Sequence, residues 1–278
     1  MPETTAQTRA GSPRIVALGA RAATALAYSD GTLRQIPGFA RTPYRLAGAE
    51  IVWVGTHGEE HPRAVFVDAP IGDTALTCMA DLPIASPAHL HVLLEPESVS
   101  DRFGSLARQC HELGTPRGWG CLLLGATPPF PLEVRADAAH ALAAAVAADD
   151  ADGFARAGLR LLGVGAGLTP SGDDFVGAAL FTLLHLDRND ATWRSAAHTL
   201  AQATHSRTHA ISAALFADLA RGQSFAPLHA LLDAAADADP AAMLAPARRL
   251  IAIGHSSGWD MLAGMIAAAT GTLHHPSH

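Results

Sequence analysis

The sequence predicts an α+β protein: a small, mostly antiparallel β domain followed by a mainly α-helical domain. Three observations carry this. From residue 14 to about 95, apolar residues come in short β-rich runs punctuated by Gly, Pro and Asp. After residue 132 they become Ala and Leu at helical spacing. Between these textures lies the Pro-rich Thr127-Pro128-Pro129-Phe130-Pro131, which reads as a linker. The expected organisation is a flexible N-terminus at 1–13, a β-rich domain at 14–126 and an α-helical domain at 132–273 carrying the Gly-rich loops.

Arg14-Ile15-Val16-Ala17-Leu18, Glu50-Ile51-Val52-Trp53-Val54 and Arg63-Ala64-Val65-Phe66-Val67 are the strand candidates, and His89 to Leu94 closes the series. Asp30-Gly31 predicts a tight hairpin between two such runs. A helix is expected near 98–113, with one more strand at Trp119 to Gly125. In the second half Asp137 reads as an N-cap ahead of Leu142 and Val146. Phe154, Ala157, Gly158, Leu161 and Leu162 form one stripe of a helix that Gly163 ends. Residues 174–186 are apolar almost all round, which predicts a central helix. Thr208 to Arg221 reads as an amphipathic helix stopped by Gly222. Asp239-Pro240 looks like a further helix start, with Pro246 marking a kink or a second start.

Composition bounds the function. Hydrophobic residues make up 49% and charged residues 16%, which excludes a disordered chain. The net charge of −7, with no basic run longer than Arg248-Arg249, speaks against nucleic acid as a partner. Cys78, Cys110 and Cys121 are odd in number and lack metal-ligand or CxxC spacing, as expected in a reducing compartment. Residues 1–13 lack an apolar core and no run of 18 apolar residues occurs, so no membrane span is expected and the cytoplasm is the predicted location.

Two stretches stand out for chemistry. Gly163-Val164-Gly165-Ala166-Gly167-Leu168-Thr169-Pro170-Ser171-Gly172-Asp173-Asp174 and Gly254-His255-Ser256-Ser257-Gly258-Trp259-Asp260 both contain Ser-Gly-x-Asp, and both run into nearly all-apolar helices. Such helices would present first turns with free N–H groups and hydroxyls. Ser, Thr and Asp before a helix are ordinary caps, but capping alone does not call for Gly163, Gly165, Gly167 and Gly172 within ten residues; close approach of backbone to a ligand does. The expectation is one shared pocket. It is bound by Gly167, Thr169, Ser171, Gly172, Asp173, Ser256, Ser257 and Gly258, with Asp174 and Asp260 as its inward pair and His255 as acid, base or donor.

Helix N-termini favour an anion, whereas Asp173, Asp174 and Asp260 would repel one. Three arrangements resolve this: aspartates that cap and point away, aspartates that hold Mg²⁺, or aspartates that accept hydrogen bonds from a ligand amide while loop N–H groups take its negative end. A nucleophilic Ser171 or Ser257 lacks the Gly-x-Ser-x-Gly elbow. His198, His205 and His209 fall on one helical face without an accompanying HExxH acid, and read as a solvated or packed face rather than a metal site. His274, His275 and His278 belong to the C-terminal tail.

The run 161–175, the stretch Thr208 to Gly222 and Gly254 to Gly264 together resemble the AllH family, strongly over about the last 120 residues, with Leu168-Thr169-Pro170-Ser171-Gly172-Asp173-Asp174 as the specific signature. The resemblance implies a component of an oxamate carbamoyltransferase in allantoin breakdown, exchanging a carbamoyl group between oxamate (as oxalurate) and phosphate. It implies partner subunits and a small anionic amide or carbamoyl substrate. The Ser-x-Arg-Thr-Arg phosphate motif of familiar carbamoyltransferases is absent. Two other readings stay open at this point: a metal-assisted amidohydrolase, and a non-catalytic ligand-binding or scaffolding subunit.

Overall fold

The computed structural model describes residues 13–39, 41–71, 96–186, 188, 190–236 and 240–273. The expected flexible N-terminus up to residue 12, the run His89–Leu94, Cys78, Asp239 and the three C-terminal histidines lie outside these. The chain divides into two compact units, Met1–Ser86 and Pro87–His278.

The first unit is a five-stranded mixed sheet in the order β1-β5-β4-β3-β2. Its strands are β1 (Ile15–Leu18), β2 (Leu33–Gln35), β3 (Tyr44–Ala47), β4 (Glu50–Gly55) and β5 (Ala64–Val67). Every pairing is antiparallel except β4 with β5, which run parallel with Trp53 opposite Ala64. The expected hairpin at Asp30-Gly31 is not there. The Ala-rich segment before it forms α1 (Ala20–Ala27), which buries Ala22, Ala25 and Leu26 in the sheet core with Val52, Val54 and Val65. Asp30 instead closes a turn from α1 into β2 by accepting a hydrogen bond from the Thr32 N–H (3.0 Å).

The second unit is helical: α2 (Pro96–Gln109), α3 (Gly120–Leu123), α4 (Ala136–Ala147), α5 (Ala151–Leu161), α6 (Ser171–His185), α7 (Ala191–Arg207), α8 (Ala210–Leu219), α9 (Ala226–Ala236), α10 (Leu244–Ile251) and α11 (Ser257–Thr270). The compactness division at 86/87 falls before the boundary expected from texture. α2 packs on α9 and α11 of the helical core, so the Pro-rich 127–131 segment lies inside this unit. The strand expected at 119–125 is the short helix α3, whose Leu122 and Leu123 turn into the helical core. Asp137 lies in the first turn of α4, because a 3-10 turn at Leu132–Arg135 has already started the chain winding. The helix expected from Thr208 begins at Ala210, since Thr208 and His209 are extended between α7 and α8. That break also takes His209 off the helix bearing His198 and His205. Pro246 sits in the first turn of α10, a second start rather than a kink.

At the centre lie α6 and α11. Every residue from Ser171 to Leu183 and from Gly258 to Ala268 is buried, which is why neither helix shows an amphipathic stripe in the sequence. α5 and α8 cover α6, while α2, α3, α4 and α10 cover α11. The two central helices touch backbone to backbone: a Cβ on Gly264 would stand 2.2 Å from the Phe175 carbonyl oxygen. Among the described residues no helix is long and apolar enough to cross a membrane.

Candidate functional site at two paired helix starts

The two Ser-Gly-x-Asp segments open α6 and α11, and the backbone leads into each in the same way. After α5 the Val164 N–H donates to the Leu161 carbonyl (3.0 Å), and the Val164 carbonyl accepts from the Gly172 N–H (2.8 Å). After α10 the Ile253 N–H donates to the Leu250 carbonyl (3.0 Å), and the Ile253 carbonyl accepts from the Gly258 N–H (3.0 Å). A Cβ on Gly172 would lie 1.9 Å from the Leu161 oxygen, and one on Gly258 would lie 1.9 Å from the Leu250 oxygen. Each glycine therefore lets a helix start against the end of the helix before it. This close approach is to protein backbone, and it accounts for both glycines without a ligand. Gly167 differs: a Cβ there would meet nothing within 4 Å, and its carbonyl accepts from His209 Nε2 (3.0 Å).

The helix starts face each other. Thr169 Oγ1 and Ser257 Oγ are 2.9 Å apart, and Ser171 Oγ and Ser256 Oγ are 3.4 Å apart, so two hydroxyl pairs bridge the motifs. Asp174 and Asp260 lie one turn into their helices and are 6% and 0% exposed. Asp260 Oδ1 accepts from the Trp119 N–H (2.7 Å), which ties the loop before α3 to α11. Gly118 makes that bond reachable: its φ is +54°, and a Cβ there would sit 2.0 Å from Asp260 Oδ1. The second oxygens, Asp174 Oδ2 and Asp260 Oδ2, are buried without a hydrogen-bond partner.

Asp173 belongs to the scaffold. Its Oδ1 accepts from the Gly163 N–H (2.7 Å) and its Oδ2 from the Ser212 hydroxyl (2.6 Å), pinning the Gly-rich loop to α8. His255 is exposed, and its ring meets Arg117 rather than either aspartate. Arg117 Nη1 lies 3.3 Å from His255 Nδ1 and donates to the His255 carbonyl (3.0 Å). A guanidinium only donates, so Nδ1 is the acceptor there.

Burial raises both free carboxyls. Asp260 is pushed up from the ordinary 3.8 to about 7, with the Trp119 N–H and the Ser171 and Ser256 hydroxyls opposing the rise. Asp174 is raised well above the ordinary value by burial and then by the charge of Asp260, with Ser257 and Thr169 opposing. The two carboxyls interact, so they titrate as a pair, and burial together with their mutual repulsion favours holding a proton between them. A pair that shares one proton offers one acceptor and one donor. Among the described residues no group of three or more His, Cys, Asp or Glu is arranged to hold a metal, so a cation here would rest on two carboxylates and the hydroxyls.

The structure thus brings together Thr169, Ser171, Asp174, Ser256, Ser257 and Asp260, and gives Gly172, Asp173 and Gly258 partners within the protein. Sequence reasoning missed Arg117 and Gly118, which lie just before the expected strand, and took Trp119 for the first residue of that strand. The available signal was Gly118 and Gly120 on either side of a Trp, a pattern that fits close contact better than a ladder.

A family model described as oxamate carbamoyltransferase subunit AllH matches residues 161–269. The span runs from the last residue of α5 to the last turn of α11 and so contains both helix starts, and over it the resemblance to the AllH family holds. No curated protein and no solved structure matches the chain.

Proposed function

We propose, with that match as the premise, that the chain is a subunit of a carbamoyltransferase assembly of the oxamate type, and that the paired starts of α6 and α11 seat its small carbamoyl substrate. One observation carries this: Asp174 Oδ2 and Asp260 Oδ2 are buried and unpartnered inside a ring of four hydroxyls. A buried carboxyl oxygen without a partner is costly, on the order of 1–3 kcal/mol for each group. Two at one place, on the two most buried helices, fit a ligand that supplies the missing hydrogen bonds.

Oxamate, oxalurate and carbamoyl phosphate each join amide N–H groups to an anionic end. With one proton between them, one of the Asp174 and Asp260 carboxyls accepts from the amide and the other donates to a carbonyl oxygen. Arg117 and the first-turn N–H groups take the negative end. In carbamoyl transfer from oxalurate, a phosphate oxygen attacks the ureido carbon and the bond to the oxamate nitrogen breaks. The proton lost by phosphate equals the proton gained by that nitrogen. A carboxyl titrating near 7 suits that relay. Partner subunits supply the remainder of the assembly. A cytoplasmic site of action, with Cys110 and Cys121 as free thiols, belongs to the same reading.

Phosphate-dependent oxalurate cleavage by the reconstituted assembly is the test, with wild type, Asp174→Asn and Asp260→Asn. A fall of two orders of magnitude or more in either variant is expected, about 3 kcal/mol at the transition state. Near-normal turnover of both would reduce the motifs to helix starts. Equal cleavage without phosphate would favour a hydrolase, and loss of turnover on EDTA with recovery on Mg²⁺ would put a metal between the aspartates.

A further inference from the structure

The first unit holds a polar cavity. It lies where β4 and β5, the parallel pair, both end, and where β3 begins. Its volume is about 500 Å³, within the range of small-molecule sites. Arg41 and Arg45 line it, with Val54, Val67 and Ile71 as apolar wall and Thr56 beside them.

Arg45 is the unusual member. It is 9% exposed, yet among the described residues it has no carboxylate partner; its Nη1 donates to the Thr42 and Tyr44 carbonyls. The same sheet shows what a structural buried arginine looks like. Arg63, 2% exposed, pairs with Glu50 (3.1 Å) and donates to the Ile51 carbonyl (2.9 Å). A buried guanidinium without an acid is expensive unless something anionic completes it. Arg41, exposed at the same cavity, adds a second cation, and among the described residues no acid lines the wall.

We infer that this cavity binds a small organic oxyanion, a carboxylate or phosphate ester, whose charged end sits between Arg41 and Arg45 and whose apolar body lies over Val54, Val67 and Ile71. The volume exceeds what inorganic phosphate fills, and the apolar wall has nothing to offer a bare ion. This site is built wholly from the first unit, so it stands or falls independently of the helix-start site.

The test is calorimetric titration of the full chain with phenyl phosphate, benzoate and, as the neutral counterpart, benzyl alcohol. At least one anion should bind saturably and benzyl alcohol should not. Arg41→Ala, at an exposed position, should weaken the anion tenfold or more, and Arg45→Met should abolish binding. Asp174→Asn and Asp260→Asn should leave the affinity unchanged. Binding of phenyl phosphate alone identifies a phosphate ester, and of benzoate alone a carboxylate. Where Arg45→Met melts early, Arg41→Ala and the neutral ligand still decide. Absence of saturable anion binding, equal binding by Arg41→Ala, or loss of binding in the aspartate variants would overturn the inference.

Discussion

Asp260→Asn should make the protein more stable, increasingly so as pH rises. Asn keeps the Oδ1 acceptor for the Trp119 N–H and the size of the side chain, and puts an uncharged NH2, beside the Ser171 and Ser256 hydroxyls that can accept from it, in place of the ionisable oxygen. In the unfolded chain Asp260 ionises at the ordinary 3.8, while in the fold burial holds it at about 7. A carboxyl whose folded value is raised lends stability below its unfolded value, and that stability drains away as pH climbs to the folded one. At 1.36 kcal/mol per pH unit, the loss across this window is about 4 kcal/mol, of which about 3 kcal/mol falls between pH 5 and pH 8. The gap between variant and wild type should widen by that amount. At a typical slope in urea this moves the midpoint by about 1 M. Urea titrations followed by tryptophan fluorescence read it directly, since Trp119 and Trp259 are buried beside the site. A gap that stays constant from pH 5 to pH 8, or one that narrows, would refute the burial of a free carboxyl here. A variant that gains stability and loses turnover is the signature of a costly group kept for function.

Gly172→Ala and Gly258→Ala should each lower stability by about 3 kcal/mol or more, because the new methyl group meets a carbonyl oxygen of the preceding helix; thermal melts check this, and unchanged melting would remove the packing account. Ser212→Ala should cost about 1–3 kcal/mol by stripping one of the two donors from Asp173 while the aspartate pair stays intact, as urea midpoints would register. Arg117→Ala, at an exposed position, should leave melting unchanged and raise KM for the anionic substrate in the assembly; an unchanged KM would take Arg117 out of the site.

The sequence made the α+β division, the central helices and the two helix starts legible because each has a short-range cause. All-round apolarity announces burial, and a Gly-bearing polar loop announces a start. What it hid depends on contacts distant in sequence. Whether Gly172 serves a ligand or the Leu161 carbonyl is decided by the angle between α5 and α6, which no local pattern encodes. Asp173 and Asp174 are adjacent and chemically alike, yet α8 claims one and leaves the other. Trp119 comes to Asp260 across 141 positions, so nothing near it in sequence points there. In the first unit the Ala-rich α1 was hidden by neighbouring strand texture, and the parallel β4–β5 pair by a connection shorter than such pairs usually require.

The two helix starts share their backbone entry but not their surroundings. Six residues, Gly165 to Pro170, separate Val164 from Ser171, whereas only Gly254 to Ser256 separate Ile253 from Ser257. One start is preceded by a long glycine loop held by His209, and the other is bordered by His255 and Arg117. On the proposed reading, a molecule lying between them would meet hydroxyls from both starts and a cation on the α11 side alone. The scaffold is built twice but unevenly, and that unevenness is what the proposed site would use to tell the head of a small substrate from its tail.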